Sequence, residues 1–429
     1  MDPGDLTALD ARAIAERVHE GWSSAVDVAR AHLARIADHD GRIGAFTSVD
    51  PERVLAEARR VDNRADRFAL PLAGVPVAVQ DCVDAAGHPT RHGSAATPDR
   101  PVRRDDELVK RLRAAGAVVV GKTRTPELGV RAAGGDPLDG SGGAAAVAAR
   151  MAALALGTDG GGAIRVPAAR HGLVGLKPGA GVVPLPGGAD QHWCGMTAAG
   201  PVARTAGDAA VLLGVLRGEP LDLDGRAGPV RIALSLAAPG PFGRLHADHR
   251  AAAIGAAARL RAGPDGAAVV LADPPYPRTL ALRWSRRRRA GVARDVAALE
   301  LDPAALGRRT AAVARRGRRT LLVAPPRAAT AAAWRDEVVG WLDDGGYDLL
   351  LGPATPGPAA GDRSAASFAR AWNVAGLPAV VAPVRVGGRS VGVQLVGRPG
   401  SEALLLAAAA RLEHRTVPMA GAAARRSYA

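Results

Sequence analysis

The chain has few of the residues that staple, stack or bridge. Among its 429 residues the only cysteines are Cys82 and Cys194, which excludes a multi-disulfide framework and a cysteine-based zinc cluster. Aromatic residues make up 3%, so the core must be packed mostly by Ala, Val and Leu. Lysine is nearly absent, with only Lys110, Lys122 and Lys177, so arginine carries almost all the positive charge behind the net +14. The opening Met1-Asp-Pro-Gly-Asp-Leu6 has neither a basic nor an apolar leader region, and no secretory signal is expected. The longest apolar run, 144–157, is interrupted by Arg150 and is too short to span a bilayer. These absences predict a soluble cytoplasmic protein with no membrane role.

What is present allows a large fold. Apolar residues make up 48%, enough for a sizeable core and too many for a disordered chain. The length suits one large α/β domain or two smaller ones. Arginine clusters at 286–289 and at Arg315, Arg316, Arg318 and Arg319. Such runs fit an anionic-polymer patch for nucleic acid or lipid, or they are solvated helix faces in a chain rich in Ala, Arg, Gly and Pro. Only Trp284 sits beside a run, and a single-strand binder needs interleaved aromatics. The solvated-face reading is preferred, so nucleic acid is disfavoured as a partner.

Strand and helix patterns alternate along the chain, which makes the class α/β. Residues 5–62 read as helices, with Val26, Ala29, Leu33 and Ile36 at helical spacing behind Ser23 and Ser24. Strands are expected at 74–80, 117–120, 231–234, 267–272, 348–351, 379–383 and 391–396. Helices are expected at 105–115, 144–155, 246–262 and 402–413. The stretch 280–345 reads as helical and charged. No repeat and no long linker divides the sequence.

The stretch Leu156-Gly-Thr-Asp-Gly-Gly-Gly-Ala-Ile-Arg-Val-Pro167 raises the central question. A glycine loop of this kind brings backbone N–H groups close to a reacting oxygen. A nucleophile is expected after the glycines, and Ala163 stands there. The surrounding pieces occur in order: 74–87, 112–123, Gly140-Ser-Gly-Gly143, 157–165, 172–178, 200–204, 273–277, 372–378 and 392–397. Together they resemble the amidase signature family over nearly the whole chain. The resemblance implies an amidase-signature fold, a mixed β-sheet sandwiched between helices, and a single amidase-like domain over 1–429. Within it, 1–62 supplies N-terminal helices, 63–215 the signature core, 216–345 a helical insertion-like region, and 346–429 the completing strands and helix.

Members of that family cleave or transfer amides with a Ser–cis-Ser–Lys triad and an oxyanion loop. Carried over by position, the lysine is Gln80, which has no titratable group. The nucleophile is Ala163. The bridging serine falls at Gly140, with Ser141 as its neighbour; a one-residue shift in the shortened loop puts Ser141 there instead, between two absent partners. Losing the nucleophile alone costs roughly a millionfold in turnover, about 8 kcal/mol. The expectation is an amidase homologue with a degenerate triad, a pseudoenzyme that binds a small amide or acyl ligand or a partner. Two alternatives stand beside it. One is an enzyme repurposed to a different reaction on an amide or acyl compound. The other is anionic-polymer binding by the arginine runs.

Gly160, Gly161, Gly162 and the N–H of Ala163, with Ser141, are either a retained ligand nest or an inherited tight turn. Asp159 and Arg165 are expected to pair and pin the loop. Cys82 is a small buried residue or, less favoured, a replacement nucleophile with His88 or His92 as base. His192 and Cys194 are an ordinary loop lining or, less favoured, a catalytic pair. His171 reads as a hydrogen-bonded core residue. No metal-ligand spacing appears, so no metal and no cofactor are expected.

Overall fold

A computed structural model describes residues 5–130, 142–185, 192–223, 230–239, 245–263, 266–357, 367–413 and 416–417. The chain opens with α1 (Ala11–His19) and α2 (Ala25–Ile43), capped by the side chains of Asp10 and Ser24. Ser24 and Asp27 bond reciprocally as a capping box, so the first turn of α2 leaves few orphan donors. α2 ends at Gly44 in the left-handed conformation. A short strand, β1 (Phe46–Ser48), then precedes α3 (Pro51–Asp62), so 5–62 is not purely helical.

The next stretch is β2 (Pro76–Gln80), α4 (Glu107–Ala114), β3 (Val118–Thr123), α5 (Gly142–Ala148), β4 (Leu154–Asp159), α6 (Arg165–His171), β5 (Val174–Lys177), β6 (Ala198–Ala203) and α7 (Ala206–Arg217). The helix expected over 144–155 is corrected here. α5 stops at Ala148, Arg150 turns the chain at φ +59°, and Leu154 starts a strand. A fully buried apolar run has no periodicity that tells helix from strand. Then come β7 (Arg231–Leu234), α8 (Ala247–Ala262), β8 (Ala268–Leu271), α9 (Leu280–Ala298), α10 (Arg308–Val323) and α11 (Ala328–Asp344). The chain closes through β9 (Leu349–Pro353), α12 (Ser367–Ala375), β10 (Ala379–Val386), β11 (Arg389–Gly397), α13 (Glu402–Ala410) and β12 (Thr416–Val417).

All the strands join one 12-stranded sheet in the order β1-β3-β2-β4-β6-β5-β10-β11-β9-β7-β8, with β12 on β10. It is mixed: β2 runs parallel to β3 and β4, whereas β4–β6 and β10–β11 are antiparallel. Alternate residues of each strand feed opposite faces. Val77, Val79 and Val119 pack with Ile14, Leu112, Leu213 and Leu405 of α1, α4, α7 and α13. Ala78, Val118 and Val120 pack with Ala29, Val54, Val147 and Ala168 of α2, α3, α5 and α6. Helices therefore cover both faces, and the core is built from small aliphatics as the composition requires. Two of the few tryptophans, Trp334 and Trp372, stack 6.1 Å apart where α11 meets α12.

The two arginine runs differ in exposure. Arg286 and Arg287 turn inward, donating to the carbonyls of Ala324 (2.6 Å), Cys194 (2.7 Å) and Arg327 (2.6 Å). Arg315, Arg316, Arg318 and Arg319 lie exposed along α10. Among the described residues, no helix is long and apolar enough to cross a membrane.

Candidate functional site

β4 ends at Asp159 and α6 begins at Arg165, so the glycine stretch is the turn between a central strand and a helix. Its shape is set by the buried Asp159 carboxylate. That group accepts from the N–H of Gly162 at 2.6 Å and from those of Ile164 and Arg165 at 3.3 Å. Arg165 grips the same carboxylate through Nε at 2.9 Å and Nη2 at 3.0 Å. The remaining guanidinium hydrogens reach Gln394 Oε1 (2.9 Å) and Asn373 Oδ1 (2.6 Å). Asn373 Nδ2 closes the network on Asp159 O, Asp159 Oδ1 and Met196 O. Burial works to raise the Asp159 carboxyl, but the charge and hydrogen bonds of Arg165, with Asn373 and Gly162, hold it well below the usual carboxylate range. The pair pins the loop between β4, β11 and α12.

Asn373 and Gln394 drew no role from the sequence. Their signal was a polar amide inside the apolar runs at 371–375 and 391–396, where burial demands a partner.

Gly162 sits at φ +108°, a conformation that excludes most side chains. Gly160 and Gly161 are needed for a different reason: a Cβ at either would lie 2.8 Å from an indole, Trp193 over the first and Trp284 over the second. Trp193 is seated by two more glycines. A Cβ at Gly129 or Gly291 would fall 2.6 Å or 2.5 Å from it. Trp284 Nε1 donates to Gly160 O at 3.0 Å, and the two rings meet edge to face at 6.5 Å. Ala163, by contrast, is exposed. The N–H groups of Gly161 and Ala163 have no acceptor among the described residues. The loop is thus roofed at Gly160 and Gly161, open at Ala163, and keeps two free donors.

Gln80, the last residue of β2, is fully engaged. Its Nε2 donates to Thr125 Oγ1 at 2.8 Å, and its Oε1 accepts from Thr158 N at 2.5 Å and Thr158 Oγ1 at 3.0 Å. β2 ends there, so Cys82 lies in the following turn rather than on the strand. Its Sγ still reaches the same Thr158 hydroxyl, at 3.5 Å. Burial pushes the Cys82 thiol up to about 11, against thiolate formation. His88 bonds Ser48 through Nδ1 at 3.1 Å, and no hydrogen bond joins Cys82 to His88 or His92 among the described residues. The nucleophile–base pair considered for Cys82 is therefore not assembled. The Cys194 sulfur lies 3.6 Å from Arg294 Nη1 and 3.9 Å from Arg287 O, and burial raises its thiol too. His171 Nδ1 meets Pro167 O at 2.9 Å, one turn back within α6. Gly140 and Ser141 lie outside the described residues.

One titratable group near the roof was not legible from sequence. Asp295 of α9 accepts from Trp193 Nε1 at 3.2 Å, and burial pushes its carboxyl up to about 6. Its charge acts on both His192 and Cys82. No motif marks this residue within a helix that reads as charged surface. No group of three or more His, Cys, Asp or Glu able to hold a metal occurs among the described residues.

The fold and the loop have close parallels. The family model described as "Amidase" matches residues 27–140 and 139–231. "Putative amidase AmiB2" of Mycobacterium tuberculosis is 37% identical over 467 residues, covering 96% of this chain and 97% of the relative. Among solved structures, 6-aminohexanoate cyclic dimer hydrolase complexed with substrate superposes with a TM-score of 0.81 at 26% identity, covering 95% of this chain and 97% of that one. The native peptide amidase of Stenotrophomonas maltophilia gives a TM-score of 0.76 at 27% identity, over 96% and 97% of the two chains. This chain belongs to the amidase family.

Proposed function

We propose that this protein keeps the amidase fold and ligand cleft but has lost serine-dependent amide hydrolysis, and that it holds a small amide or acyl compound without cutting it. The observation that carries this reading is Ala163. Its methyl is exposed at the open end of the glycine loop, where the family places the attacking hydroxyl. The Gln80 carboxamide, in the lysine's place, is spent on Thr125 and Thr158 and has no basic nitrogen to take up a proton. The free N–H groups of Gly161 and Ala163 are donors to which a ligand carbonyl can bond. Arg286 and Arg287 of the first run are engaged with backbone carbonyls, which argues against an anionic polymer as the partner.

The test is amide hydrolysis by mass spectrometry, comparing the natural protein with a variant carrying Gln80→Lys, Gly140→Ser and Ala163→Ser. The expected result is no product from the natural protein and turnover from the restored one. Product from the natural protein well above background overturns the reading.

One observation favours the repurposed enzyme as a second reading: a buried carboxyl poised near neutrality, Asp295, acts on His192 beside the loop. On that reading the natural protein turns over an acyl compound, and Asp295→Asn abolishes turnover while Ala163→Gly leaves it intact. The same assay separates the two.

A further inference from the structure

Trp284 and Arg288 are one turn apart on α9, so they share a face, and that face lies over the glycine loop. Two neighbouring arginines are engaged. Arg286 and Arg287 bond backbone carbonyls of Ala324, Cys194 and Arg327. Arg288 is not. Its guanidinium lies 5.0 Å from the Trp284 ring centroid, and its Nε is buried with no hydrogen-bond partner. Arg370 of α12 approaches the same ring at 4.3 Å. The charges that act on Arg288 are Arg370, Arg309 and Arg289, all positive. Burial, then these three neighbours, push its pKa down to about 10, so the cation is held in a field that disfavours it. A partly buried cation that meets no counter-charge among the described residues is costly, and a bound anion offsets that cost.

We propose that the ligand of this cleft carries a carboxylate, taken by the Arg288 fork, while its carbonyl end meets the free N–H groups of Gly161 and Ala163. The inference deepens the ligand-binding reading above and rests on it. The Trp284 indole separates the two poles: one edge lies on Gly161 and Arg288 stands over its ring. A molecule with an amide at one end and an acid at the other engages both poles. The ligand class is therefore an amide that also carries a carboxylate, of which the half-amides of dicarboxylic acids are the simplest. A planar guanidinium takes a carboxylate through two parallel hydrogen bonds, which an ammonium does not reproduce.

The experiment is isothermal titration of the natural protein, Arg288→Gln and Arg288→Lys with succinamate and glutaramate, each beside its neutral counterpart, butyramide and valeramide. All three proteins are first checked for matching thermal unfolding. The half-amides are expected to bind about tenfold tighter or more than the neutral amides. Arg288→Gln is expected to erase that difference. Arg288→Lys is expected to keep part of the preference, in a salt-sensitive form. Equal affinity of acid and neutral amides for the natural protein overturns the inference and leaves the ligand-binding reading standing. A preference that survives Arg288→Gln also overturns it, because another cation then holds the acid. Absence of binding by any amide overturns both.

Discussion

At the residue scale, single buried charges dominate. Asp159 and Arg165 are both fully buried, and each satisfies the other. Asp159→Asn leaves Arg165 without its counter-charge, and the expected loss is about 3–5 kcal/mol, read as a lower urea midpoint. The folded carboxyl is held below its unfolded value, so this stability is present above about pH 4 and fades as the pH falls through the folded value. Lys177, at the end of β5, gives the opposite slope. Burial, then the charge of Arg165, push its amine down to about 7, and its Nζ donates only to Pro178 O, at 2.7 Å, among the described residues. The unfolded chain therefore binds more protons between about pH 7 and pH 10, and stability rises with pH across that window by up to about 1.4 kcal/mol per unit. Lys177→Met is expected to flatten that rise in denaturant titrations run at several pH values.

At the element scale, α9 controls the roof. Gly317 of α10 lies against it so closely that a Cβ would fall 1.9 Å from Arg289 O. Gly317→Ala is expected to push the two helices apart, cost about 1–3 kcal/mol and shift tryptophan emission as Trp284 lifts from Gly161. A preserved emission maximum would show that the roof does not depend on this packing. The sequence announced the helix–helix region at 280–345 but not this contact, because a glycine inside an arginine-rich helix carries no periodic signal. The reverse held for the loop. Glycines, an aspartate and an arginine at fixed spacing were legible at once, since their chemistry is local. Asp295, Trp193 and Arg288 were not, because nothing local says which face of a long helix, or which loop tryptophan, will meet the turn after β4. Helix 144–155 failed for a simpler reason: its alanines suit a helix and a central strand equally until Arg150 turns the chain.

At the scale of the whole molecule, one sheet runs from β1 to β8, and both helical layers share its strands. Neither layer keeps a core without the other. Melting followed by near-ultraviolet circular dichroism and by tryptophan fluorescence is expected to give coincident curves; separated curves would mean that the region around α9–α11 unfolds on its own. The continuity of that sheet gives Gln80 a history as well as a geometry. Its carboxamide accepts from the Thr158 backbone and so ties β2 to β4 at the strand ends. An ammonium at the same place can only donate, so Gln80→Lys alone takes the acceptor away from a partly buried backbone donor. On the proposed reading, restoration of the triad one residue at a time meets a loss at the first move, because Gln80 is part of the sheet as well as of the site.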